Sequence, residues 1–219
     1  MTWPTAEELT AACPLEDGYS FEVLSSGSIS ELVRALATWE PSWQIGAASA
    51  YLRKDFYETS VSLKDKTPRD IFVVLIRHET RLAGMLSARR SLDTLSLFGS
   101  LAVVAPEQRG KGGPKFKGDY LEAMARPMGL GFIFSLATLK HRGSQRYFES
   151  MGYKLVGIVP GYDREEITPG VIKRVHEALY AKVLVSHDVL LQPDPANMTS
   201  NVRRLYETLF SAANPPNAA

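Results

Sequence analysis

Cationic side chains and glycines alternate in one short run, Arg109-Gly110-Lys111-Gly112-Gly113-Pro114, which follows the β-branched pair Val103-Val104 after Ala105-Pro106-Glu107-Gln108. Glycine lets a backbone bend sharply and approach a ligand with no Cβ in the way, so successive peptide N–H groups can converge on an anion. Proline suits the first position of a helix. The unpaired N–H groups and aligned dipoles of a helix start favour an anion by about 0.3 to 2 kcal/mol. Arg109, Lys111, Lys115 and Lys117 add positive charge around the same turn, as a polyphosphate ligand requires. The same residues equally suit a plain loop that ends a strand and leaves its lysines in water.

Other chemistries find less support. Cys13 is the single cysteine and has no histidine near it in sequence, so a thiol nucleophile, an internal disulfide and a multi-thiolate metal site all lack their parts. His78, His141, His176 and His187 show no His-Glu-x-x-His spacing, and no Gly-x-x-x-x-Gly-Lys-Ser/Thr occurs, so neither a metal nor a triphosphate loop is implied. A net charge of +1 gives no general reason to expect nucleic acid, which leaves only the local lysine-rich turn as a footing for it. A start carrying Glu7 and Glu8 is unlike a signal peptide, and no apolar stretch approaches the roughly 20 residues of a membrane helix. The expectation is a protein of the reducing cytoplasm. With 219 residues, 45% hydrophobic and 22% charged, the chain can build an ordinary globular core.

The elements that position the turn are legible from periodicity. Alternation over 19–24 predicts a first strand, and Ser28 or Ser30 can cap a helix through Leu32, Val33 and Leu36 that Pro41 stops. Trp39 and Trp43 stand before a second helix over 47–59, placed to floor a pocket or to join the core. Three strands, 71–77, 82–89 and 95–104, read as an antiparallel meander, with Gly99 marking a bulge. Beyond Pro114, Phe116, Tyr120, Leu121, Met124 and Ala125 predict a helix ended by Pro127. The apolar run 130–137 predicts a buried strand reached by crossover and paired in parallel. A short helix over 145–151 closed by Gly152, strands over 154–159 and 175–185 around a polar loop 160–170, and an amphipathic helix over 199–211 complete the chain.

Val104-x-Pro106-Glu107-x-Arg109-Gly110-Lys111-Gly112 resembles the Gln/Arg-x-x-Gly-x-Gly/Ala motif of the GNAT N-acetyltransferase superfamily, with Arg109 and Gly112 in its first and fourth positions and Pro114 in the sixth. Proline has no N–H, so one pyrophosphate contact is lost there. Ser144 to Tyr153 resembles the later motif that ends in Tyr-x-x-x-Gly-Phe, with Phe148 in the tyrosine position and Arg142 assigned to its asparagine position. The order of elements is similar to the GNAT fold over residues 19–186. The resemblance implies an α/β (α+β) fold with a mixed, mostly antiparallel central sheet flanked by helices and a C-terminal helical appendage. Residues 1–18 are then an N-terminal extension, and 187–219 a C-terminal extension with one helix and a disordered tail.

The same resemblance implies acetyl-CoA or another acyl-CoA in a cleft where the fourth and fifth strands splay. There Ala102, Val103 and Val104 would meet the pantetheine arm, while Arg109, Gly110, Lys111, Gly112 and Gly113, with Arg142, would hold the phosphates. The implied reaction is direct acyl transfer to an amine of a small molecule or protein, in which holding both reactants together supplies roughly 7 to 11 kcal/mol. Phe148 cannot donate a proton, so Tyr147 is the candidate acid and His141 the candidate base, with Glu107 beside the turn and Asp163, Glu165 and Glu166 in the late polar loop. The alternative is a GNAT-shaped CoA-binding or interaction module without turnover, and a C-terminal helix that meets a second copy would make a homodimer.

Overall fold

Apolar alternation becomes a single twisted sheet whose two faces each bury a separate core. The computed structural model describes residues 1–109 and 115–210; Gly110, Lys111, Gly112, Gly113 and Pro114, and residues 211–219 with the Asn214-Pro215-Pro216-Asn217 tail expected to be disordered, lie outside the described residues. The main strands are β1 (Tyr19–Val23), β2 (Ile71–His78), β3 (Arg81–Ser91), β4 (Ser96–Val104), β5 (Phe132–Thr138), β6 (Lys154–Thr168) and β7 (Val171–Val183). Their order in the sheet is β1-β2-β3-β4-β5-β7-β6, and β4–β5 is the parallel pair among them. A two-residue strand, Val61–Ser62, runs parallel to the start of β2. Helices α1 (Ala6–Ala12), α2 (Ile29–Trp39), α3 (Lys54–Ser60), α4 (Tyr120–Ala125) and α5 (Gly143–Ser150) pack on the sheet, and α6 (Ser200–Phe210) follows it. The fold is therefore α/β with a mixed, mostly antiparallel sheet.

Adjacent residues of one strand serve opposite faces, as the two-residue repeat of a pleated strand requires. Val74 and Ile76 join Leu97, Leu121, Met124, Ile133 and Tyr180 against α1, α4 and α5. Val73 and Leu75 join Leu32, Leu36, Tyr57, Met85 and Val103 against α2 and α3. The first eighteen residues are part of this architecture. Thr5 and Glu8 form a reciprocal capping box at the start of α1. Leu9 and Cys13 are fully buried, and Trp3 stacks on Phe72 at 4.7 Å under the guanidinium of Arg90.

Three expectations need correction. The helix expected over 47–59 breaks at Arg53, which is extended, into a 3-10 turn over Ala47–Leu52 and α3. The helix expected from Phe116 starts only at Tyr120. Phe116 is instead captured by Leu15 in an isolated antiparallel bridge, and the Lys117 amide donates to Pro14 O at 2.9 Å. Those contacts hold Phe116 in a bridge, and α4 begins only after its cap Asp119; Pro114, expected at the helix start, lies outside the described residues. The polar loop expected at 160–170 is a hairpin arm, because β6 runs on to Thr168 and Gly170 makes the turn with φ +78°. The strand expected to begin at Val175 therefore begins at Val171. Both faces of this arm are largely wet, which removes the alternation that would have marked it as strand.

Candidate active site

Strands β4 and β5 pair only from Ser96–Phe132 to Gly99–Ser135 and then part, leaving residues 100–104 and 136–138 without each other as partners. A register shift against β3 places a bulge at Ser100, where the parting begins. Ser135 Oγ donates to Gly99 O at 2.7 Å and closes the inner end of the gap. A Cβ on Gly99 would lie 2.7 Å from Leu121 Cδ1 and 3.1 Å from that hydroxyl, so glycine lets helix and strand approach here. The Ala105 amide donates to Ala83 O on β3. Backbone groups alternate in direction along a ladder, so those of Ala102 and Val104 turn the other way, toward the gap. Ala102 is exposed, whereas the Val103 side chain is buried on the α2 face. On that face Tyr51 Oη donates to Ser87 Oγ at 2.8 Å beside the bulge.

Arg109 is committed within the protein. Its Nε donates to Val104 O at 2.9 Å, and its guanidinium pairs with Glu40 at the end of α2. The rest of the expected phosphate cradle, Gly110, Lys111, Gly112 and Gly113, lies outside the described residues. The start of α4 is also filled. Asp119 accepts from the amides of Leu121 at 3.0 Å and Glu122 at 3.3 Å, so a carboxylate of the chain itself sits on the positive end of the helix. Lys182 of β7 reaches Asp119 at 3.2 Å and pairs with Glu122 as well, while donating to Met151 O.

Tyr147 belongs to this cluster. Its ring stacks on Tyr120 at 5.5 Å, and its hydroxyl accepts weakly from the Tyr120 amide and faces Asp119. Burial, then the neighbouring Tyr120 and Asp119, push its hydroxyl far above the ordinary tyrosine value. Phe148 is buried between Tyr153 and Tyr180. Cys13 lies in the same core, its thiol pushed up to about 11 by burial and then by Asp119, so it stays protonated. His141 and Arg142 are exposed at the start of α5, with the His141 carbonyl accepting from Gln145 and the Arg142 carbonyl from the Arg146 amide. Glu107 is exposed on the turn after β4, and Trp39 and Trp43 pack against the α2-side core. The structure thus turns Ala102 and Val104 to the gap with Arg109 at its end, whereas Val103, expected beside them, bonds back to β3 and buries its side chain on the α2 face. Tyr147 faces the α4 start, and His141 and Arg142 lie on the exposed turn after β5.

Sequence reasoning passed over two residues. Asp119 carries a readable signal, because Asp119 and Glu122 have the spacing of a helix-start box. Glu177 carries none, because only the long-range pairing of β7 with β5 brings it beside Thr138 at the end of β5. The β6–β7 arm turns back over the α2 side, where Asp163 Oδ1 accepts from the Ala47 amide at 2.8 Å. Glu165 pairs with Lys140, and Glu166 accepts from the Gly170 amide at 2.6 Å. Burial first, and then the charges of Asp163 and Glu165, raise the Glu177 carboxyl to about 7.

Comparison of the whole architecture is decisive for the fold. The spermidine/spermine N-acetyltransferase of Vibrio cholerae superposes with TM-score 0.57 at 12% identity, over 77% of this chain and 95% of that one. An N-acetyltransferase of Staphylococcus aureus gives TM-score 0.56 at 9% identity, over 77% and 99%. The chain has the GNAT fold. The ribosomal-protein-S5-alanine acetyltransferase of Vibrio fischeri shares this GNAT architecture with TM-score 0.54 at 11% identity, over 77% and 94%. No family model matches the sequence, and no curated protein matches it either. Among the described residues no helix is long and apolar enough to cross a membrane.

Proposed function

We propose that this protein transfers an acyl group, in the simplest case acetyl, from acyl-CoA directly to an amine of a small molecule or protein. The observation that carries the reading is the parting of β4 from β5 beyond Gly99 and Ser135, with the backbone of Ala102 and Val104 turned into the gap. A pantetheine arm offers amide groups that need backbone partners, and an opened parallel pair supplies them without distortion. The gap lies between the two cores, so an acyl group entering along β4 meets an acceptor arriving from the α2 side. Named GNAT-fold neighbours that acetylate spermidine or ribosomal protein support an amine as acceptor.

The protein's part in such a reaction is chiefly to hold the two reactants together and exclude competing water. Calorimetry with acetyl-CoA is expected to give a dissociation constant of about micromolar order. A screen of amines by free-thiol release is expected to yield amine-dependent turnover. Absence of binding at millimolar acetyl-CoA would refute the proposal. A specific observation also favours a second reading, that of a CoA-binding module without turnover: Phe148 is buried between Tyr153 and Tyr180, and the neighbouring Tyr147 hydroxyl faces Asp119 with its proton held far above the ordinary tyrosine value, so neither offers an acid to a departing thiolate. That module binds acetyl-CoA and releases no thiol with any amine.

A further inference from the structure

We infer that the carboxylate of Glu177 takes the proton from the attacking amine, an assignment that rests on the acyl-transfer reading above. Glu177 pairs with Thr138, three residues beyond Ser135, where β5 has already left β4. Its neighbours Ala178 and Tyr180 turn into the α5-side core. Alternation therefore sends the Glu177 side chain out on the other face of the sheet, the face on which α2 packs farther along and on which Asp163 of the same arm meets the Ala47 amide. That is the side from which an acceptor reaches the gap.

The surroundings keep this carboxylate available. Among the described residues nothing donates a hydrogen bond to it, although it is partly buried. Across the hairpin, Asp163 is occupied by the amides of Ala47 and Arg164, and Glu165 by Lys140. The Nδ1 of the adjacent His176 accepts from the Gly161 amide at 2.8 Å. Two negative neighbours and partial burial leave Glu177 with a proton affinity matched to neutral pH, which is where a general base is most effective. His141 and Glu107, by contrast, stand in open solvent.

The step balances without a further reactant. An ammonium group gives one proton to Glu177, and the freed nitrogen lone pair attacks the thioester carbonyl carbon. The N–C bond forms and the C–S bond breaks. The second N–H proton leaves with the sulfur as free thiol, and Glu177 returns its proton to water.

The test compares wild type with Glu177→Gln, using acetyl-CoA and spermidine, butylamine and a peptide with a free α-amino group between about pH 6 and 9. For every amine that wild type acetylates, kcat is expected to fall about 100-fold or more, with the acetyl-CoA dissociation constant within about twofold. Wild-type kcat is expected to level off above about pH 7, while the variant's continues to climb as free amine accumulates. The variant is also expected to be at least as stable as wild type at about pH 8. A carboxyl raised on folding contributes stability below its unfolded value that is lost as pH rises through about 7. An unchanged kcat and pH profile, or a variant less stable at pH 8, overturns this assignment and leaves acyl transfer standing. No thiol release by wild type with any of the amines overturns the acyl-transfer reading and this assignment with it.

Discussion

Replacing Asp119 separates its two roles, cap and ion partner, because asparagine keeps one and alanine keeps neither. The side chain is 5% exposed, accepts from the Leu121 and Glu122 amides, and faces Lys182 Nζ at 3.2 Å. Loss of an N-cap costs about 0.5–2 kcal/mol. Removing one partner of a buried pair costs about 3–5 kcal/mol when the other charge is stranded. Lys182 is not stranded, since it keeps Glu122 and Met151 O, so about 1–2 kcal/mol is the appropriate ionic share. Asp119→Ala is then expected to destabilise by about 3 kcal/mol, and Asp119→Asn by about half of that. For a chain of this size, roughly 2–4 °C per kcal/mol converts the alanine value to a Tm lower by about 6–12 °C. Urea unfolding followed by circular dichroism, with Lys182→Met completing a double-mutant cycle, reads both shares. Equal losses in the alanine and asparagine variants would falsify the capping role, and a cycle with no coupling would remove the ion pair from the account.

Gly46→Ala is expected to loosen the hairpin arm: φ is +86°, and a Cβ would overlap the Arg164 carbonyl and lie 2.6 Å from Asp163 Oδ1. A cost of about 2 kcal/mol or more is expected, with faster hydrogen exchange at the Ala47 amide, whereas unchanged exchange would mean the arm does not depend on this contact. Glu31→Gln probes acid stability. The Arg77 guanidinium binds both Glu31 oxygens and holds its carboxyl below the usual value, against the opposing effect of burial. A depressed carboxyl contributes stability above its unfolded value and loses it as pH falls through the folded one. Wild type and variant are therefore expected to differ in urea midpoint at neutral pH and to converge toward about pH 3. A constant difference would show that another charge sets the acid slope.

Elements whose signal is local were legible before the fold was known. The apolar segments of β2, β3 and β5 and the Gly152 stop after α5 are visible in a few consecutive residues, and they stand where local sequence puts them. The pairing of β5 with β4 follows from a crossover connection. What distant contacts decide could not be read in this way. Phe116 has the spacing of a helix residue, yet Leu15, about a hundred positions earlier, holds it extended. Arg109 has the type and position of a phosphate ligand, and its guanidinium is taken by Glu40 from the end of α2. Glu177 is an ordinary acidic residue in an alternating strand until the β6–β7 hairpin pairs it with Val159 and brings the charges of Asp163 and Glu165 to bear on it.

The late start of α4 changes the energetics expected of the glycine-rich turn. An anion at an open helix start gains about 0.3 to 2 kcal/mol from the dipole and the unpaired amides. Here that gain already stabilises the fold, because Asp119 caps the helix and Lys182 neutralises the cap. A coenzyme A diphosphate therefore forgoes the helix contribution. Its affinity must come from the glycine turn and nearby cationic side chains, and from the pantetheine arm lying along Ala102 and Val104. By the same arithmetic, losing 0.3 to 2 kcal/mol weakens binding by about 1.5- to 30-fold, which a pantetheine contact of ordinary strength offsets. The gap between β4 and β5, rather than the positive end of α4, is consequently the feature on which the proposed acyl-CoA binding rests.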